Sequence, residues 1–338
     1  MVMSALLKFL FPPPPSLVVS ALSVVNLVSL TSGGFSEMRG KHMKYSKFWN
    51  ATTANSAKQI KLSSRAAMLM LYTPAFLAGV ASFFIFPNEG LRSTLLQSAL
   101  TLHFFKRDLE RGGIVREKGD LLGESEDGGS GGNSRGGMHG GLVGGLRIEV
   151  LFVHKYSGYM YLDSAIPIAL SYFVSAATMT YSQHLTVTEG LPQPQIDLMY
   201  PGVAVFLIGI IGNLYHHYLL SKLRGVGEKE YKIPKGGLFG LVICPHYLFE
   251  ITMFYGISMI SQTVYSLCFT IGTTFYLVGR SYATRKWCYV GYIANTLFSA
   301  AFWSSAHGLI KCVLLIRHLK GLLPKNIKGL QKYVDIEE

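Results

Sequence analysis

This sequence is poor in charge: Asp, Glu, Lys and Arg supply only 15% of its 338 residues. A soluble domain carries about 25%, so the composition argues against a cytosolic globule at the outset. Cysteine is scarcer still. Cys244, Cys268, Cys288 and Cys312 are scattered without paired spacing, which excludes a disulfide scaffold. Polar residues are too few for disorder, because a chain that is 49% hydrophobic cannot stay solvated. Acids are also outnumbered, 19 against 31 Lys and Arg, for a net charge of +12. A basic surplus can mark a nucleic-acid binder. Here it sits in short loops between apolar runs, which is the membrane pattern, and no nucleic-acid partner is expected.

Crossing the hydrocarbon core takes roughly 20 apolar residues. Runs of that kind occupy 16–34, 66–86, 91–105 (short), 160–182, 199–220, 238–259 and 262–279, with a further apolar run at 288–316. The first follows Pro12-Pro13-Pro14-Pro15, which breaks the segment upstream, so it reads as a retained span rather than a cleaved signal. The 35–65 loop carries Arg39, Lys41, Lys44, Lys47, Lys58, Lys61 and Arg65 against the single acid Glu37. The positive-inside rule places it in the cytosol and the N-terminus in the lumen. Alternation then assigns 106–159, 221–237 and 280–287 to the cytosol, and all three are basic. The expected fold is an all-α polytopic bundle of about seven transmembrane helices. An eighth span at 288–316 would send Arg317, Lys320, Lys325 and Lys328 to the lumen, so that run is read as interfacial, re-entrant or atypical. Between Gly112 and Gly145 roughly two residues in five are glycine, a linker composition with no phosphate-loop pattern. Asn50-Ala51-Thr52 matches a glycosylation acceptor but falls in a cytosolic loop.

Ionisable groups inside or at the rim of a membrane are costly, and each is a functional candidate. At 100° per residue, Asn213, His217 and Arg224 fall within about 40° of one another and form one polar stripe toward the cytosolic rim. Hydrogen-bonded glue between helices is the structural alternative. The stretch Glu228 to Phe239 reads as a cytosolic turn, with Pro234 and Gly236-Gly237 setting the backbone and Tyr231 and the lysines available to a phosphate or a ring. In Cys244-Pro245-His246-Tyr247-Leu248-Phe249-Glu250, proline starts a helix and His246 shares a face with Glu250. No third and fourth ligand stand at metal spacing, so no metal is expected. Arg280, Arg285, Lys286 and Trp287 cluster where the seventh run exits, as an anchor or as phosphate ligands. His103-Phe104-Phe105-Lys106-Arg107 ends the third run on the same side.

These motifs resemble the membrane steroid 5-alpha-reductase and trans-2-enoyl-CoA reductase family. The resemblance rests on Lys222-Leu223-Arg224, Gly227-Glu228, Tyr231 to Pro234, Gly236 to Phe239, Pro245-His246-Tyr247 with Glu250, and on His103 to Arg107 and Glu149 to His154. It covers about 250 residues and implies a seven-helix endoplasmic-reticulum reductase using NADPH. Such enzymes reduce a C=C bond conjugated to a carbonyl in a lipid, either a 3-oxo-4-ene steroid or a 2-enoyl-CoA. Carried over residue by residue, Asn213, His217, Arg224, Tyr231, His246, Glu250 and Arg280 fall at nucleotide-pocket positions. Lys106 and Tyr247 match the catalytic pair of the enoyl-CoA branch, and Tyr72 and Phe104 stand on the substrate side. The resemblance implies a division into an N-terminal membrane part (1–107), a glycine-rich insert (108–148), a reductase domain (149–287) and an atypical tail (288–338).

Three departures matter. Tyr72 replaces the steroid branch's polarising glutamate. The insert separates Arg107 from Glu149 and divides what should be one helix end, which threatens to displace Lys106. Cys288 and a new apolar run follow Trp287 in place of the family's short tail. Pro245-His246-Tyr247 also resembles polyprenol-type reductases. A membrane methyltransferase using S-adenosylmethionine and an inactive isoform are the remaining alternatives.

Overall fold

A computed structural model describes residues 8–42, 60–112, 159–223 and 234–303. They form seven α-helices: α1 (Leu17–Met38), α2 (Ser64–Ile85), α3 (Leu91–Gly112), α4 (Leu162–Thr188), α5 (Met199–Lys222), α6 (Pro245–Ser261) and α7 (Val264–Trp303). Of these, α1, α2 from Ala66, α4 and α5 are long and apolar enough to cross a membrane. Their starts are set locally. Ser16 and Ser63 accept from the amides of Val19 and Ala66 at 3.4 and 3.3 Å, and Pro245 opens α6 where its missing N–H costs nothing.

Two short strands, β1 (Lys61–Ser63) and β2 (Tyr159–Tyr161), pair antiparallel with Leu62 opposite Met160. They seat the starts of α2 and α4 side by side. The helices pack mainly as α5 on α6, α1 on α7, and α2 on both α3 and α4, with α6 joining α3 to α7. Glycines set the closest crossings. A Cβ on Gly209 of α5 would stand 2.4 Å from the Met253 amide nitrogen of α6, and one on Gly279 of α7 would stand 2.2 Å from the Gly34 carbonyl of α1. Lipid tails are as apolar as leucine, so membrane helices gain by such backbone approach rather than by hydrophobic exclusion. The buried centre holds Leu96, Leu100, Met160, Met179, Met253, Ile257 and Tyr265. Phe84, Leu170, Ile208 and Ile211 stand well exposed on the outside, a lipid-facing pattern.

Side-chain contacts define two poles. Lys106 near the end of α3 meets Asn213 late in α5, which meets His246 at the start of α6. At the other pole, Arg92 at the start of α3 meets the Ile260 carbonyl at the end of α6. α3 and α5 therefore run in the same direction and α6 runs against them.

One expectation is corrected. Residues 280–287 are not a loop: α7 is one helix from Val264 to Trp303. At 1.5 Å per residue, the part beyond Arg280 extends about 35 Å. Basic residues mark where a chain leaves a membrane, but they do not end a helix as proline or glycine does, and 280–287 contains neither. The helix α3 runs to Gly112, and the rest of the insert and Glu149 lie outside the described residues.

Candidate functional site

The polar pole is a buried cluster built from three helices. Lys106, Arg107 and Glu110 come from the last turns of α3, Asn213 and His217 from α5, and Glu250 from α6, and each is less than 10% exposed. The Lys106 ammonium donates to Asn213 Oδ1 and, at 3.2 Å, to Glu110 Oε1. Asn213 Nδ2 donates to the His246 carbonyl at 2.7 Å, which fixes the amide's orientation. The Arg107 guanidinium donates to Glu250 and, at 3.1 Å, to His217 Nε2, assigning the His217 ring proton to Nδ1. Glu110 Oε2 lies 3.5 Å from Arg107 but takes no hydrogen bond among the described residues, and Arg107 Nε likewise lacks an acceptor. Two cations face two carboxylates, so the cluster carries no net charge. Buried ions are tolerable only when so compensated.

Aromatic rings wall the cluster. Tyr72 of α2 lies 5.8 Å beneath the Arg107 guanidinium and 5.2 Å from Tyr172 of α4. Phe104 is buried against Tyr172 and His103. Of the two residues expected on the substrate side, Tyr72 thus borders the ions and Phe104 lies one ring further off, against Tyr172. Thr73, beside Tyr72, reaches Asp108 at 3.5 Å.

The turn before α6 folds back onto α5. Gly236 and Gly237 have φ of 89° and 51°, the left-handed region, and a Cβ on Gly237 would come 2.7 Å from His216 Nε2. The Leu238 amide donates to that nitrogen at 3.1 Å. The His246 ring sits 5.2 Å from His217 and 4.3 Å from Tyr247, which is half-buried. The backbone therefore carries Tyr247 one residue from the carbonyl that Asn213 holds. Lys222 lies 4.1 Å over the Tyr218 ring at the end of α5.

Arg280 is engaged elsewhere. Its guanidinium donates to Glu37 of α1 at 2.7 Å, and the other Glu37 oxygen lies 2.7 Å from His42 Nδ1. Arg224 and Tyr231 lie outside the described residues, as do 113–148 of the insert and Asn50 to Thr52. No group of three or more His, Cys, Asp or Glu stands at metal spacing among the described residues. Sequence reasoning missed Glu110 and left Arg107 without a role. The signal was present, because Glu110 stands four residues after Lys106 and three after Arg107, on one face of the helix.

The family model for 3-oxo-5-alpha-steroid 4-dehydrogenase matches residues 165–295. The very-long-chain enoyl-CoA reductase of Dictyostelium discoideum is 34% identical over 125 residues, 36% of this chain and 40% of that protein. Steroid 5-alpha-reductase DET2 of Gossypium hirsutum is 36% identical over 86 residues, 25% of this chain and 33% of its own length. The 3-oxo-5-alpha-steroid 4-dehydrogenase 1 of Bos taurus is 34% identical over 86 residues, 25% of this chain and 34% of its own. The chain thus spans between a third and two fifths of the length of these relatives.

Proposed function

We propose, from the premise that residues 165–295 belong to the steroid 5-alpha-reductase and enoyl-CoA reductase family, that this protein is a membrane reductase using NADPH. Its substrate is a lipid with a C=C bond conjugated to a carbonyl. The observation that carries the reading is the Lys106–Asn213–His246 connection, which joins α3, α5 and α6 and brings the Tyr247 backbone to the same pole. The proposed setting is the endoplasmic-reticulum membrane, with seven spans, a lumenal N-terminus and this pole at the cytosolic face. The proposed domain division is 1–107, 108–148, 149–287 and 288–338.

The donor set fits a nicotinamide nucleotide. The buried cluster is already neutral, so it offers no surplus charge to a phosphate. It does offer two atoms with no hydrogen bond among the described residues, Arg107 Nε as a donor and Glu110 Oε2 as an acceptor, the kinds that an amide and sugar hydroxyls need. Phosphates would go to cations outside the cluster, Arg224 foremost, with Tyr231, His217, His246 and Glu250 lining the pocket; Arg280 joins them only by exchanging its bond to Glu37 for one to a phosphate. NADPH, when bound, supplies the hydride. The chain's own residues handle the charge and the proton. Lys106 meets the negative charge that develops on the substrate's carbonyl oxygen, and Tyr247 gives a proton to the α-carbon. Tyr72 and Phe104 wall the acyl or ring system and exclude water.

The test uses the full chain purified in detergent, with NADPH consumption measured against a 2-enoyl-CoA, a 4-ene-3-ketosteroid and a polyprenal. Turnover of any one supports the reading and names the lipid. Binding of S-adenosylmethionine with no affinity for NADPH would replace it with a methyltransferase. Tyr247→Phe is expected to abolish turnover with cofactor affinity nearly unchanged, and a wild-type rate would remove that residue from the mechanism.

A further inference from the structure

The buried carboxylate of Glu110 has no part in the reaction as described so far, yet it is 1% exposed and lies against the proposed catalytic amine. We propose that Glu110 is a positioning residue that holds the Lys106 ammonium protonated and aims its one uncommitted N–H at the substrate carbonyl. This rests on the reading of Lys106 given above.

The geometry carries it in two ways. An ammonium has three donors. Glu110 Oε1 takes one at 3.2 Å and Asn213 Oδ1 takes another, so the third direction is fixed by the first two. The second argument is charge. Lys106 and Arg107 are adjacent cations, and Glu250 is committed to Arg107 through its Nη2. Without Glu110, two buried cations would share one carboxylate, and the amine rather than the guanidinium would give up its proton. A neutral amine cannot meet a developing oxyanion. The groups around Lys106 are His103, Arg107 and Glu110 on α3, Tyr72 on α2, Asn213 and His217 on α5, and Glu250 on α6. Glu110 is the carboxylate among them within hydrogen-bond reach of the ammonium.

Glu110→Gln removes the charge and keeps an oxygen that can accept from Lys106. In the full chain, kcat is expected to fall about tenfold or more while the KM for NADPH stays within about twofold. The basic limb of the kcat profile should move to lower pH by about one unit, since loss of a neighbouring anion makes the ammonium easier to deprotonate. Glu110→Asp should restore the position of that limb. A limb unmoved in Glu110→Gln, or equal losses in both variants with the limb in place, overturns the proposal in favour of a purely structural role. A second measurement needs no turnover: the pH midpoint for modification of Lys106 by an amine reagent, read by mass spectrometry. It should fall in Glu110→Gln, and equal midpoints in variant and wild type also overturn the proposal. If the wild-type chain reduces none of the three lipids, the functional reading fails on its own, and the midpoint still decides the role of Glu110.

Discussion

The two poles of the α3–α5–α6 unit solve the same packing problem with opposite chemistry. They lie about 20 Å apart along α3, from Arg92 to Lys106. At one, Gln262 ends α6 in the left-handed conformation with φ 52° and is completely buried. Its side-chain amide donates to the carbonyls of Phe9 and Ile196 and accepts from the Leu198 amide and Arg92, while its backbone carbonyl takes the Phe11 amide. Every polar atom of that side chain is satisfied, mostly by backbone, and the knot ties three loops together. At the other pole four buried ions compensate one another, and two of their atoms find no hydrogen bond among the described residues. A closed network centred on one buried amide makes structure. An ionic one left with spare valences keeps something for a ligand, and it does so where Lys106, Arg107, Asn213, His217 and Glu250 meet.

Breaking each pole in turn should expose this contrast. The largest stability loss is expected from Arg107→Ala, which strands Glu250 and leaves Glu110 with Lys106 alone. Removing one partner of a buried pair costs about 3–5 kcal/mol, to be read as loss of detergent-stable folded protein in a thermal melt. Gln262→Ala should cost about 1–3 kcal/mol for the donors and acceptors it strands, with kcat/KM per folded molecule unchanged. An equal fall in kcat/KM would mean that the poles are not separable. Lys106→Met reverses the pattern. It should lower kcat by about 10²-fold or more with a smaller shift in melting than Arg107→Ala, because an apolar chain of similar length fills the space.

The smallest effect belongs to Asp197, exposed beside the Gln262 pole. The Met199 amide, and then Arg92, hold its carboxyl below the usual carboxylate range. A depressed folded-state pKa contributes stability above the unfolded value of about 3.9 and loses it as pH falls through the folded value. Asp197→Asn should therefore lower stability slightly at neutral pH, and the difference from wild type should close as pH falls below about 4, which flattens the acid end of the profile.

Much of this was legible in the chain. Apolar runs of membrane length located the helices, because backbone groups in lipid must be satisfied internally and only a helix does so within one segment. The Gly236-Gly237 turn was readable because a left-handed backbone there demands glycine. The continuity of α7 was not, since the charge that suggested a loop governs membrane depth and leaves helix propensity almost untouched. Glu110 was missed for a related reason. Read along the sequence, it is one more acid before a glycine-rich stretch.

Local pattern by itself determined the helices and their order, because periodicity and caps act over a few residues. Only the tertiary structure decided the partners. Glu37 lies 243 residues from Arg280 and Asn213 lies 107 from Lys106, and which buried charge compensates which depends on helices brought together by packing. An ion in low dielectric must find its counter-ion in space, and sequence distance places no limit on where it is found.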